Sequence, residues 1–109
     1  MSHFLIAQVK VNDDSWIPDY AANVHDIVHR HGGKYLSRSG NIVTLEGDES
    51  TANLIAIIEF PTEDAMNAFV SDPDYAPYSE ARQAGSDSQF IAIDATDVAG
   101  TIPYLTAGG

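Results

Sequence analysis

The chain predicts an α+β domain of βαββαβ order. The prediction rests on apolar stretches that switch between period two and period 3.6, on capping residues at the switches, and on one nearly continuous apolar run in mid-chain. His3 to Val11 alternates as a strand, with Phe4, Ile6 and Gln8 on one face and Leu5, Ala7, Val9 and Val11 on the other. Asn12-Asp13-Asp14-Ser15 offers N-caps, and Pro18 falls in a first helical turn, where its missing N–H does no harm. Trp16, Ile17, Tyr20, Ala21, Val24, Ile27, Val28 and His31 then recur at helical spacing as one apolar stripe. Gly32-Gly33 ends the helix, one of the two in the left-handed cap conformation.

Lys34 to Arg38 reads as the second strand, interrupted by Ser39-Gly40-Asn41, with extended chain resuming over Ile42 to Glu46 and a loop at Gly47 to Ser50. Asn53 to Phe60 is the most apolar run and reads as a central strand. Pro61-Thr62-Glu63-Asp64 opens a second helix, with Thr62 as cap and two carboxylates facing the helix dipole. Its expected buried face is Ala65, Met66, Phe69 and Val70. Pro73 ends it, a short helical segment follows at about Pro77 to Ala84, and Gln89 to Asp94 is the last strand. Residues 1–94 thus form the domain, and the tail 95–109 has no clear period. Right-handed crossovers turn this order into a ferredoxin-like fold, a four-stranded antiparallel sheet with the helices on one face. The third strand is apolar on both faces, with Leu54, Ala56, Ile58 and Phe60 opposing Ile55 and Ile57. A second copy of the chain is the simplest cover for the bare face, so a homodimer is expected.

At 109 residues the chain is long enough to bury a core without staples. Its 16 acidic residues against 5 basic ones give a net charge of -11, a field that repels phosphate backbones and anionic membranes. Nucleic acid and membrane partners are therefore not expected, and the charge itself reads as solubility. With no cysteine, disulfides, thiolate nucleophiles and Cys-ligated metal sites are excluded. Met1 to Val11 lacks the long apolar centre of a signal peptide, and a cytoplasmic location is the expectation.

Several motifs resemble one family in their order along the chain. Gly32-Gly33-Lys34-Tyr35-Leu36-Ser37-Arg38, Leu45-Glu46-Gly47-Asp48 and Ile58-Glu59-Phe60-Pro61-Thr62 are similar to the signatures of the domain of unknown function 1330 family. Asp72-Pro73-Asp74-Tyr75 and Arg82 occupy the places of a further stretch and a following arginine in that family. The resemblance spans roughly residues 3 to 94 and implies a dimeric α+β barrel like that of the antibiotic-biosynthesis-monooxygenase-like superfamily. It implies no reaction, and the longer tail departs from the family pattern.

His25-Asp26-Ile27-Val28-His29 mimics the spacing of a zinc-binding HExxH helix, but Asp is shorter than the Glu base of that motif and a third ligand is missing. Both histidines fall on the polar side of the helix, so surface histidines and no metal are the reading. Arg38 and Arg82 are conspicuous in so acidic a chain. They are candidate anchors for an anionic ligand, against the alternative that each pairs with a neighbouring carboxylate. Glu59, within the most apolar strand, is the candidate general acid or base, with Arg38 or Arg82 as its natural partner. Tyr78 is a candidate ligand-binding phenol, whereas Tyr20 and Tyr75 read as packing.

No phosphate-cradling glycine loop is present, and no cofactor is expected. Two functions compete: cofactor-free binding or transformation of a small organic acid or aromatic, and a non-catalytic dimeric ligand-binding or stress-associated protein. Haem binding ranks last, because His31 is its lone candidate ligand.

Overall fold

A computed structural model describes residues 1–100, and most of the tail that the sequence sets apart lies outside the described residues. Four strands, β1 (His3–Val11), β2 (Lys34–Ser39), β3 (Leu54–Phe60) and β4 (Ser86–Asp94), form one sheet in the order β2-β3-β1-β4. Every neighbouring pair is antiparallel. Three helices connect them: α1 (Ile17–Arg30), α2 (Glu63–Val70) and α3 (Ala76–Gly85). This is the ferredoxin-like arrangement expected from the sequence. No helix among the described residues is long and apolar enough to cross a membrane.

Alternation along the two central strands divides the sheet into an inner and an outer face. Leu5, Ala7 and Val9 of β1 and Ala56, Ile58 and Phe60 of β3 are buried on the inner face, under the helices. Val24, Ile27 and Val28 of α1 and Met66 and Phe69 of α2 close over them. Phe60, Phe69, Val24 and Val28 are the most fully enclosed side chains, each contributing about 1.5–3 kcal/mol of burial. Phe60 stacks on Phe69 with centroids 5.6 Å apart, and Phe69 meets Tyr75 at 4.4 Å.

Local chemistry explains the helix ends. The Thr62 hydroxyl accepts from the Ala65 N–H at 3.0 Å, as its capping position requires. Gly32 takes φ +78° at the end of α1, the left-handed cap conformation. The start of α1 differs from expectation: its cap position is Trp16, with no side-chain cap, and Asp13 instead accepts from the Ser15 N–H at 2.9 Å within the preceding turn. Ile42 to Glu46 is not a strand. β3 begins at Leu54 and pairs back only as far as Ser39, so nothing lies opposite this segment. Its Val43 and Leu45 are accordingly 77% and 93% exposed. Val70, expected inside, is 51% exposed because it lies about 100° round the helix from Phe69, which with Met66 is turned to the core. β4 begins three residues early, at Ser86, since ladder pairing with Val9 to Val11 holds a polar stretch that its sequence alone does not mark as strand.

Asp72 ties the α2–α3 turn to the end of α1. Its backbone carbonyl accepts from the N–H groups of Tyr75 (2.9 Å) and Ala76 (3.2 Å), and its Oδ1 accepts from the N–H of Asp74 at 2.8 Å. Oδ2 accepts from His31 Nε2 at 2.7 Å and from Arg30 Nη1 at 3.4 Å, and Arg30 also reaches Asp74 at 2.8 Å. The His31 hydrogen bond, then that of the Asp74 N–H, hold the Asp72 carboxyl below the usual carboxylate range. A depressed folded pKa adds stability that is complete above the unfolded value of about 3.9 and is lost as pH falls through the folded one. Asp72→Asn is expected to lower stability near neutrality and to flatten the decline below about pH 4, as read by urea unfolding across pH. An unchanged acid limb in the variant would show that the carboxylate does not carry it.

Candidate functional site

The sheet and helices do not fill the space between them. Beneath the first half of α1 lies a cleft of about 310 Å³, enclosed far more by carbon than by polar atoms. Its floor is set by strand register. Ala7 of β1 stands opposite Ala56 of β3, Phe90 of β4 flanks Ala7, and Arg38 of β2 flanks Ala56. Across the sheet this row reads Arg38, Ala56, Ala7, Phe90. Two methyl groups in its centre are too short to meet the helix, while Leu5 and Ile58 in the adjacent row are long enough to join the core. The roof and ends are Trp16, Tyr20, Val24 and His25 of the α1 region, with Tyr35 and Arg82 completing the wall.

Arg82 is 5% exposed. Its guanidinium lies 4.0 Å above the Phe90 ring, and Nη2 donates to Ser79 Oγ at 3.3 Å. Its Nε is buried with no hydrogen-bond partner. At the other end Arg38 stacks on Tyr35 with the same 4.0 Å separation. Among the described residues neither arginine forms an ion pair; Arg30 is the one that engages carboxylates. No Asp or Glu lines the cleft, although the chain has 16 acidic residues. A hollow bordered by two guanidinium groups and no carboxylate is electropositive inside an acidic protein; Arg82 is shielded from screening water, while Arg38 at the rim is exposed to it.

Two phenols of the cleft wall, those of Tyr20 and Tyr35, are driven toward the neutral form. Burial pushes the Tyr20 hydroxyl far above the usual range and the adjacent Tyr75 hydroxyl adds to this, while Arg82 pulls weakly the other way. The two hydroxyls share a hydrogen bond at 3.1 Å. Burial also raises Tyr35, against the opposing pull of Arg38.

The profile of the domain of unknown function DUF1330 matches residues 2–96. The chain belongs to the DUF1330 family. This DUF1330 chain also resembles solved structures. A protein of unknown function from Rhodopseudomonas palustris, RPA0582, is 19% identical with a TM-score of 0.75, over 88% of this chain and 83% of that one. SnoaB of Streptomyces nogalater, a cofactor-independent oxygenase, is 15% identical with a TM-score of 0.62, over 88% and 94% of the two chains. A dimeric ferredoxin-like protein of unknown function from Thermobifida fusca is 15% identical with a TM-score of 0.54, over 86% and 91%. At these identities the likeness is one of fold. No functionally curated protein matches the chain.

The residues singled out from the DUF1330 sequence fare differently. Arg38 and Arg82 both line the cleft. Glu59 does not join them: it pairs with Phe4 and Lys34 on the outer face of the sheet, so the expected carboxylate–arginine constellation is not formed. Alternation along β3 turns Glu59 outward, while a bulge in β2 between Tyr35 and Ser37 turns Arg38 inward. Strict alternation from Lys34 would put Arg38 on the outer face with Glu59, and the extra residue turns it inward. Tyr78 packs against the core from α3 and is not part of the cleft wall. His31 is held by Asp72, away from the cleft, which removes the basis of the haem reading. His25, read as a surface residue, borders the cleft, while His29 is exposed and edge-on to Tyr35.

Trp16, Tyr20 and Tyr35 are the wall residues that the sequence pattern did not assign to a site. The signal for Trp16 and Tyr20 was present, since aromatic groups with polar tips headed a stripe otherwise aliphatic.

A buried cation without a carboxylate burdens the fold unless something compensates it. Arg82→Met, which keeps the volume and removes the charge, is therefore expected to leave the ligand-free protein as stable as before or more stable, by up to about 2 kcal/mol. Chemical denaturation measures this; a loss of several kcal/mol would make Arg82 a structural residue.

Proposed function

We propose that the protein is a homodimer whose cleft binds a small organic acid with a flat, apolar body. The buried, carboxylate-free guanidinium of Arg82 on an aromatic wall is the observation that supports this most strongly. An anionic ligand would supply the counter-charge that the chain withholds, in a setting where charge-assisted hydrogen bonds are strong. Alanine floor, tyrosine and phenylalanine walls and a narrow volume suit a ring better than a branched chain. Transformation of such an acid without a cofactor would need a base at the cleft. His25 borders the cleft, but its ring nitrogens meet the Ala21 carbonyl and the Asp26 carboxylate, and Glu59 is on the outer face, so binding is the better supported reading. SnoaB performs its oxygenation without a cofactor, and shared fold alone carries little about reaction.

The homodimer is supported by the outer face of the sheet. Phe4, Ile6, Ile57, Ile91 and Ile93 lie there in adjacent register with no helix above them. Such a patch is a cost in water for a monomer. The Thermobifida fusca protein of the same fold is dimeric.

Two measurements test these statements. In thermal unfolding, benzoate and 2-naphthoate are expected to raise the midpoint by several degrees at about ten times their Kd, the neutral amides to do little, and Arg82→Met to abolish the effect. Failure of every acid to stabilise the wild type would overturn the ligand assignment. By light scattering the wild type is expected at twice the chain mass and Ile57→Glu or Ile91→Glu at the chain mass, with native circular dichroism. A monomeric wild type at micromolar concentration would rule out the dimer.

A further inference from the structure

The two arginines of the cleft are held on its opposite sides. Arg82 lies on the Phe90 ring and Arg38 on the Tyr35 ring, each with its guanidinium 4.0 Å from the ring centroid. Phe90 belongs to β4 and Tyr35 to β2, the two edge strands of the sheet. Those strands are three spacings apart, roughly 14 Å. Between them the floor is Ala56 and Ala7, which carry no charge. The cleft is thus an apolar trough with a cation on each side, and the ring beneath each guanidinium holds it in place.

Arg82 keeps one nitrogen uncommitted. Its Nε is sealed and its Nη2 is bonded to Ser79, whereas Nη1 has neither a partner among the described residues nor the full burial of Nε. A further donor stands toward Arg38. Asn53 borders the cleft just before β3, and a Cβ on Gly40, two residues beyond Arg38, would stand 3.1 Å from its carbonyl oxygen. Its backbone N–H donates to the Val9 carbonyl at 2.7 Å, and its Oδ1 accepts from the Val11 N–H at 2.6 Å. Only the amide oxygen can face that N–H, so the side chain has one orientation and Nδ2 is left as a donor.

We propose that the cleft takes a diacid, a flat ring with a carboxylate at each end, one directed to Arg82 and the other to Arg38 and Asn53 Nδ2. The inference rests on the reading of the cleft as an organic-acid site and adds a second anionic group to that ligand. Donors on both sides of an uncharged floor complement negative charge at two ends better than at one. A cleft of about 310 Å³ lies at the small end of ligand sites, which limits the body to one or two fused rings. The two ends differ in strength. Arg82 is buried, whereas Arg38 is exposed and partly screened by solvent. The inner carboxylate therefore carries most of the affinity, and the outer one discriminates among acids.

Calorimetric titration of the full chain at low ionic strength compares terephthalate with 4-carbamoylbenzoate, the same ring with one carboxylate exchanged for a neutral amide. The longer pair of naphthalene-2,6-dicarboxylate and its monoamide is titrated alongside. In at least one pair the diacid is expected to bind about fivefold tighter or more. Arg38→Gln, at an exposed position, is expected to bring that ratio close to one. Asn53→Asp keeps an oxygen for the Val11 N–H and sets a negative charge at the same end, so it is expected to reverse the preference. Equal affinities within both pairs, or a preference that survives Arg38→Gln, would overturn the second anionic group while leaving the cleft as an acid site. An unchanged ratio in Asn53→Asp would overturn the part given to Asn53. Binding of none of these acids, benzoate included, would overturn both statements.

Discussion

Two alanines side by side in the middle of the sheet decide where this protein is solid and where it is hollow. Ala7 and Ala56 pair across β1 and β3 on the face under α1. One row further along, Leu5 pairs with Ile58, and from there to Phe60 and Phe69 the interior is filled. The backbone of α1 runs over both rows at the height set by the larger residues, because an interior packs to the density its bulkiest contacts allow. A helix held off by Leu5 and Ile58 cannot descend onto Ala7 and Ala56. The cleft is therefore a consequence of side-chain length at two positions, and the filled end provides the burial that keeps the hollow end open.

Charge follows the same division. The latch of Asp72, Asp74, Arg30 and His31 lies at the filled end, near Phe69, where its ion pairs join three helices. The hollow end holds Arg38 and Arg82, with aromatic rings in place of carboxylates. Among the described residues Arg30 is the one Lys or Arg in an ion pair; what sets Arg82 apart from Lys10, Lys34 and Arg38 is that it is buried as well as unpaired. Stacking recovers some energy for a guanidinium, about 0.5–2 kcal/mol, less than the desolvation of a buried cation costs. The imbalance is what an anion would correct.

Much of the architecture was legible in the sequence because it depends on local chemistry. The alternation of β1 and β3, the cap at Thr62 and the glycine at position 32 each act within a few residues, and each occurs where the pattern places it. What was not legible depends on register. Parity along β2 is reversed by one bulged residue, and that single step carries Arg38 to the face of the cleft. Nothing in Lys34-Tyr35-Leu36-Ser37 marks the bulge, since it arises from pairing with β3, more than fifteen residues away. The site was half visible for the same reason. Scarcity in an acidic chain pointed to both arginines, but the company they keep is a property of neighbouring strands and helices.

The cleft floor and the outer apolar patch are the two sides of the same strands. Along β1, Phe4 and Ile6 point outward while Leu5 and Ala7 point inward, and β3 repeats the pattern with Ile55 and Ile57 against Ala56 and Ile58. A second chain packed on the outer side, as proposed for the dimer, would leave the floor with little freedom to move. The roof is differently made. Its first turn carries no side-chain cap, and it is held to the rest through Trp16 lying on Gly85 and the turn bonded to the Gly85 carbonyl. Val24, Ile27 and Val28 seat the middle of α1 on the core, so Trp16 on Gly85 fixes only the open end of the roof. The packing of Trp16 on Gly85 thus ties that end of the hollow to the junction of α3 with the turn before α1.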